Sequence, residues 1–317
     1  MTRRQLVLLA VWLLLAVLLT PAAGLGVASR ASAGIQAQAT VTVMAAGDIS
    51  PDPSASKDDD VATSDLILDA DPTAVLTLGD HQYPRGELAD FLRSRSGYAG
   101  SWGRFKARTH PSPGNHDYSD PAGGAAGYFG YVGRLAGDPA KGYYSFDLGA
   151  WHLIALNSNC GAAGAPSCDQ DSAQVRWLQA DLEGNAKQCT LAYWHHRRYT
   201  DPAGHRDDPR TQYFWNALYA AHADLVLAGH NHVYQRFGPL HPLGQLMDYG
   251  AGVRAFVVGT GGNSLYRFST PPRAGSRYRD DDHYGVLRLT LSPTSWSSAF
   301  HRTDGQVVDP ATAGCWQ

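Results

Sequence analysis

The chain has 317 residues, 44% of them hydrophobic and 10% aromatic, with 17% charged side chains and a formal net charge of −3. That composition supplies a substantial core, excludes a disordered or strongly solvating chain, and suits one large domain. The acidic balance disfavours a long polyanionic partner, so no specific nucleic-acid partner is expected.

In chain order, Thr2, Arg3 and Arg4 precede an apolar run from Leu6 to Leu19, followed by Pro21 and several Ala-x-Ala sites. This is the pattern of an export signal. The run is shorter than the roughly 20 residues a spanning helix needs, so no permanent membrane anchor is expected. Cleavage after Ala33 removes Arg3, Arg4 and Arg30 from the 26 basic residues and none of the 29 acidic ones, leaving a net charge of about −6. The reading is a signal peptide over 1–33, a flexible linker over 34–40 and a single catalytic domain over 41–317, exported to a secreted, periplasmic or cell-envelope space.

From Val41 onward, short apolar runs of strand length recur: Val41 to Ala46, Ala74 to Leu78, Trp151 to Leu156, Thr190 to Trp194 and Leu225 to Ala228. Helical patterns separate several of them, at Ser64 to Ala70, at Ser172 to Leu182 with Gly184 as a stop, and at Pro209 to His222. Strands interleaved with helices predict an α/β fold.

Polar groups follow these strands directly: Gly47-Asp48, Gly79-Asp80, His195-His196 and Gly229-His230-Asn231-His232, with a further loop Gly114-Asn115-His116-Asp117. The carboxyl ends of neighbouring strands share one sheet edge, so loops distant in sequence meet there. Asp48, Asp80, Asn115, His195, His230 and His232 offer carboxylate, amide and imidazole donors without a thiolate, a set suited to hard and borderline cations. Six donors, with one carboxylate able to bridge, fit two ions better than one. Singly, an Asp after a strand is a turn former and a His a satisfied core residue. Jointly that reading becomes improbable.

The four cysteines, Cys160, Cys168, Cys189 and Cys315, lack C-x-x-C spacing and lie in the exported part, which favours two disulfides over a zinc site. Of three pairings, Cys160 with Cys168 across a small Gly/Ala/Pro loop is favoured, leaving Cys189 for Cys315. Arg197, Arg198, Arg206 and Arg210 fall close together and read either as a phosphate contact or as a solvated loop. Gly259-Thr260-Gly261-Gly262 lacks the spacing of a nucleotide loop and reads as a turn near the site.

In this order, G-D, G-D-x-x-Y, G-N-H-D, an isolated His after a strand and G-H-x-H resemble the calcineurin-like metallophosphoesterase superfamily, over Val41 to about Arg236. Tyr83, in Gly79-Asp80-His81-Gln82-Tyr83, makes the chain similar to the purple acid phosphatase branch, and Gly142 to Ser158 and Val258 to Gly262 resemble its secreted bacterial members. The resemblance implies a two-sheet β-sandwich flanked by helices. It also implies one metal held by Asp48, Asp80, Tyr83 and His232, and a second held by Asp80, Asn115, His195 and His230, with Asp80 shared. Fe(III) is implied at the Tyr83 site and Fe, Zn or Mn at the other. His116 matches the histidine that contacts phosphate and assists the leaving group. Asp117 is expected to orient that imidazole, to cap a helix or to bind solvent, and His196 and His205 either to contact phosphate or to transfer protons. The implied reaction is hydrolysis of a small phosphorylated substrate, most simply a phosphate monoester, by in-line attack of a metal-bound hydroxide.

Two departures from the family pattern stand out. Asp48-Ile49-Ser50 lacks the histidine many members place two positions after the first aspartate; the resemblance implies that Tyr83 replaces that ligand, the alternative being a tyrosine that packs against the loop beside Pro84. The common His-x-Pro turn is His195-His196-Arg197-Arg198, which changes the loop beside the substrate. A serine hydrolase and a zinc protease are disfavoured by the absence of G-x-S-x-G and H-E-x-x-H. The rival enzyme is a phosphodiesterase of the same fold. The rival outside enzymes is a metal-stabilised binding module, against which His116 argues because it is not among the ligands.

Overall fold

The computed structural model describes residues 39–55, 59–248 and 250–316. The expected leader and most of the linker lie outside these residues. Among the described residues no helix is long and apolar enough to cross a membrane.

Two mixed sheets face one another. The strands are β1 (Val41–Ala46), β2 (Ala74–Leu78), β3 (Thr109–Ser112), β4 (Tyr144–Leu148), β5 (Trp151–Ala155), β6 (Cys189–His196), β7 (Leu225–Gly229), β8 (Tyr234–Leu240), β9 (Val253–Val258), β10 (Ser276–Asp280), β11 (Gly285–Ser292), β12 (Ser295–Arg302) and β13 (Val307–Gly314). One sheet has the order β13-β12-β11-β1-β2-β3 and the other β10-β8-β9-β7-β6-β5-β4. The helices are α1 (Asp59–Ala70), α2 (Leu88–Phe91), α3 (Ala126–Val132), α4 (Ala173–Gly184) and α5 (Gln212–Ala220). This is the expected α/β architecture of two sheets flanked by helices.

The central strands read as mostly apolar runs because both their faces are buried. Along β6, Leu191 and Tyr193 point into the layer between the sheets, whereas Ala192 and Trp194 point outward to a second core with Val175 and Leu178 of α4 and Phe214, Trp215 and Leu218 of α5. The same alternation runs through Leu225, Val226 and Leu227 of β7. Burying one Leu- or Phe-sized side chain contributes about 1.5–3 kcal/mol, so these two layers dominate the stability.

The helix boundaries follow local chemistry. Ser172 caps α4 by accepting the Val175 N–H at 3.2 Å. The expected helix at Pro209 divides into one tight turn, Pro209–Thr211, and α5 proper, with Asp208 accepting the Arg210 N–H at 3.0 Å. α1 begins five residues before the expected Ser64. Its Asp59 and Asp60 sit in the first turn, where carboxylates favour the helix dipole although their polarity resembles a loop. Cys160 pairs with Cys168 and Cys189 with Cys315, the favoured pairing.

β1, β2 and β3 are mutually parallel, as are β5, β6, β7 and β9. Their carboxyl ends lie on one edge, where Gly47 donates its N–H to the Val258 carbonyl at 2.9 Å and joins the two sheets.

Candidate metal centre

Asp48, Asp80 and His230 each follow a parallel strand, and each adopts a left-handed backbone, with φ of 58°, 52° and 70°. Asp and His tolerate that region better than branched residues, and such strain concentrates at functional sites. Glycine is needed beside them. A Cβ on Gly79, itself at φ +82°, would lie 2.6 Å from His195 Nδ1, and one on Gly114 would lie 2.2 Å from Asp80 Oδ1.

The seven expected donors converge in two groups. Tyr83 Oη lies 3.0 Å from each of Asp48 Oδ1, Asp80 Oδ2 and His232 Nε2, and His232 Nε2 lies 3.2 Å from Asp48 Oδ1. His195 Nε2 lies 3.0 Å from Asn115 Oδ1, 3.1 Å from His230 Nδ1 and 3.2 Å from Asp80 Oδ2. Asp80 Oδ2 thus faces both groups. A phenol carries one proton and cannot satisfy three acceptors at once. Donors about 2.1 Å from a shared cation in octahedral geometry stand ~3.0 Å apart, which is the spacing found.

The surroundings aim these donors. His195 Nδ1 donates to the Leu78 carbonyl at 2.8 Å and His232 Nδ1 to the Ser264 carbonyl at 2.7 Å, which leaves each Nε2 lone pair directed at the cluster. Asp80 Oδ1 accepts the His116 N–H at 2.7 Å and Asp48 Oδ2 the His230 N–H at 2.8 Å. Asp48, Asp80 and His195 are completely or almost completely buried.

Charges here are tightly coupled. Burial opposes ionisation of Asp80, but the neighbouring His195 and His116 hold its pKa below the usual carboxylate range. Burial likewise disfavours the His195 imidazolium, yet Asp80 and Asp48 push its pKa up to about 9. His230 is driven far down by burial and by His195 and His196. The carboxylates therefore gather protons onto nearby histidines, and a cation would displace those protons.

His116 is half-buried, with its ring 4.2 Å from that of Tyr83 and Nδ1 held 2.5 Å from the Pro84 carbonyl. Asp117 does not reach that imidazole. It is fully buried and accepts the N–H groups of Gly114 at 2.8 Å, Asp80 at 3.1 Å and His81 at 3.2 Å, and pairs with His81 Nδ1 at 2.9 Å. It ties the Asp80 turn to the Asn115 turn.

His196 is buried, with Nδ1 2.9 Å from Ser158 Oγ and its ring 4.5 Å from that of His230. His205 is exposed and stacks on His230 at 4.2 Å. The basic cluster does not gather on one point: Arg198 bonds Gln212, Arg210 pairs with Asp208 at 2.9 Å, and Arg197 is buried against the Arg206 carbonyl.

Several residues beside the centre carried no individual signal in the sequence. Asn263 donates its N–H to the Asp48 carbonyl at 3.0 Å, and Tyr266 stacks on His232 at 4.1 Å. Their one clue was the glycine run before them, whose Gly261 N–H reaches the Gly47 carbonyl at 3.0 Å.

Two sheets thus bring Asp, Asn and His side chains together at their shared strand ends, and the family matches give the class, a metallophosphoesterase. Residues 41–234 match the calcineurin-like phosphoesterase model, and residues 255–310 match the model described as iron/zinc purple acid phosphatase-like protein C. The chain belongs to the calcineurin-like phosphoesterase family and carries a purple acid phosphatase-like C-terminal region.

Among curated relatives, it is 29% identical to purple acid phosphatase 21 of Arabidopsis thaliana over 52% of this chain and 38% of that protein. It is 25% identical to purple acid phosphatase 23 of the same plant over 63% of this chain and 49% of that protein. The matched segment thus spans at most about half of these relatives.

Among solved structures, the purple acid phosphatase PPD1 from yellow lupin superposes with a TM-score of 0.68 at 19% identity, covering 87% of this chain and 54% of that one. GAP50 of Plasmodium, the anchor in the inner membrane complex, superposes with a TM-score of 0.61 at 12% identity, covering 88% and 90%. These two likenesses concern the fold.

Proposed function

We propose that this protein hydrolyses small phosphate monoesters at a centre of two metal ions that share Asp80. The observation that carries the reading is the position of Asp80 Oδ2, 3.0 Å from Tyr83 Oη and 3.2 Å from His195 Nε2, between two otherwise separate donor sets. Asp48, Tyr83 and His232 would complete the first site, and Asn115, His195 and His230 the second. The phenol of Tyr83 suits Fe(III) at the first site, and the amide and imidazoles suit Fe, Zn or Mn at the second. Two bound cations supply Lewis acidity and lower the pKa of a coordinated water.

The chain's own residues supply the rest. The Pro84 carbonyl accepts from His116 Nδ1, which leaves Nε2 as the ring nitrogen that would serve a leaving oxygen. Burial and His195 keep His196 neutral and hydrogen-bonded to Ser158, in which state it lines the second site without adding charge. His205, stacked on the His230 ring at the exposed edge, would contact a bound phosphate. No side-chain nucleophile is required. Two disulfides support the further reading that the domain works outside the cytosol, after removal of the segment over 1–33.

The test is hydrolysis of p-nitrophenyl phosphate against bis-p-nitrophenyl phosphate by the metal-loaded protein. Faster turnover of the monoester is expected. Preference for the diester would transfer the assignment to a phosphodiesterase, and no turnover of either would remove the enzymatic reading. A visible absorption band that vanishes in Tyr83→Phe is expected if Tyr83 binds Fe(III), and a colourless active protein would withdraw that ligand alone.

A further inference from the structure

At the end of β9 remote from the metal centre, the two sheets separate around a cavity of about 850 Å³. Strand alternation predicts apolar side chains here, because Phe256 and Val258 of β9 and Phe300 of β12 point into the layer between the sheets. At the same parity, the positions facing the cavity are Arg254 on β9, Arg236 on β8, and Trp296 and Ser298 on β12. Polar groups stand where a sandwich normally packs hydrocarbon.

Three irregularities in strand register surround this space. One falls between Arg236 and Pro239 of β8, one between Ser276 and Tyr278 of β10, and one between Ser298 and Phe300 of β12. Bulges re-aim side chains and cluster beside functional sites. The residue bulged out of β10 is Arg277, which is exposed and lies over Gly238, its Nε 3.0 Å from where a Cβ there would stand.

The walls are left incompletely satisfied. Trp296 is 3% exposed and Ser298 6%, and neither the indole N–H nor the hydroxyl has a hydrogen-bond partner among the described residues. A buried polar group in that state is costly, and both belong to residues that line the cavity. Arg236 is committed to Asp309, at 2.8 Å and 2.5 Å. Arg254 lies against the Trp296 ring, 5.9 Å from its centroid. Arg277 forms no ion pair among the described residues, and Met247 supplies apolar wall. The volume falls within the roughly 300–1,000 Å³ of small-molecule sites.

We infer that this cavity binds a small organic acid, its carboxylate held by Arg277 and its apolar body against Met247 and the Trp296 indole. The site is separate from the metal centre and stands independently of the phosphatase reading.

The experiment titrates the oxidised, metal-loaded protein with benzoate and follows the indole N–H resonance of Trp296, assigned by comparison with Trp296→Phe. Benzyl alcohol and inorganic phosphate serve as matched probes. A saturable benzoate shift, weakened roughly tenfold or more in Arg277→Gln, with weaker binding of both other probes, is expected. Arg277 is exposed, so this variant tests recognition without disturbing the core. The inference is overturned if benzoate leaves the Trp296 resonance unmoved, if Arg277→Gln binds it equally well, or if benzyl alcohol or phosphate binds as tightly.

Discussion

Replacing Asp117 by Asn distinguishes a residue that positions the metal site from one that acts in the chemistry. In the native protein Asp117 Oδ2 accepts from Gly114 N–H at 2.8 Å, Asp80 N–H at 3.1 Å and His81 Nδ1 at 2.9 Å, while Oδ1 accepts the His81 N–H at 3.2 Å. An amide in the same rotamer keeps one oxygen for the first three and turns its NH₂ toward the His81 N–H. Three charge-assisted bonds become neutral ones, each weaker by about 1 kcal/mol, and one buried N–H loses its acceptor at about 1–3 kcal/mol. Burying a neutral amide is easier than burying a carboxylate and offsets part of this, so a net loss of about 2–4 kcal/mol is expected. Thermal unfolding should fall by roughly 3–7 °C. Metal content should fall with it, because the Asp80 and Asn115 turns are no longer tied, and excess metal should restore part of the turnover. A variant with native stability and full metal content but greatly reduced turnover would refute this reasoning and place Asp117 in the reaction through His116.

Further outcomes follow from the same geometry. His116→Ala should lower turnover roughly 10²–10⁴-fold while metal content stays unchanged, and equal turnover would remove His116 as the proton donor. Cys189→Ser with Cys315→Ser opens a loop of sequence separation 126, and chain entropy predicts a loss of about 5 kcal/mol in denaturant unfolding. Asp224 is buried, accepts the Thr190 and Trp316 N–H groups, and is pushed by burial from 3.8 up to about 7. Between those values the folded chain holds a proton that the unfolded chain has lost. Stability contributed by this group therefore declines as pH rises from about 4 to 7 and is level above, by a total of about 4 kcal/mol. The gap in unfolding free energy between the native protein and Asp224→Asn should close by that order across the window, whereas parallel pH profiles would reject the shift.

The strands that build the centre were legible because they are almost wholly buried: Val41–Ala46 and Ala74–Leu78 show in the sequence as mostly apolar runs of the observed length, each interrupted by a single threonine. The alternating Leu287, Leu289 and Leu291 of β11 obey the period of a strand, but Arg288 and Thr290 between them dilute the run. β4, with Ser145 and Asp147, lies at a sheet edge and has little apolar signal. The candidate donors were legible because glycines and short motifs mark them. The residues that aim them were not, because Leu78, Ser264 and Pro84 act through backbone carbonyls that every residue possesses. Asp117 was visible as a neighbour of His116, yet its partners Asp80 and His81 are 36–37 residues away and met only through folding.

The central claim is that two cations share Asp80, and metal analysis of the purified oxidised protein tests it most directly. Two metal ions per chain are expected in the native protein, about one in Asn115→Ala and about one in Tyr83→Phe, and neither retained in Asp80→Ala. A native stoichiometry of one or none, or an Asp80→Ala protein that keeps one ion at full occupancy, would contradict the account.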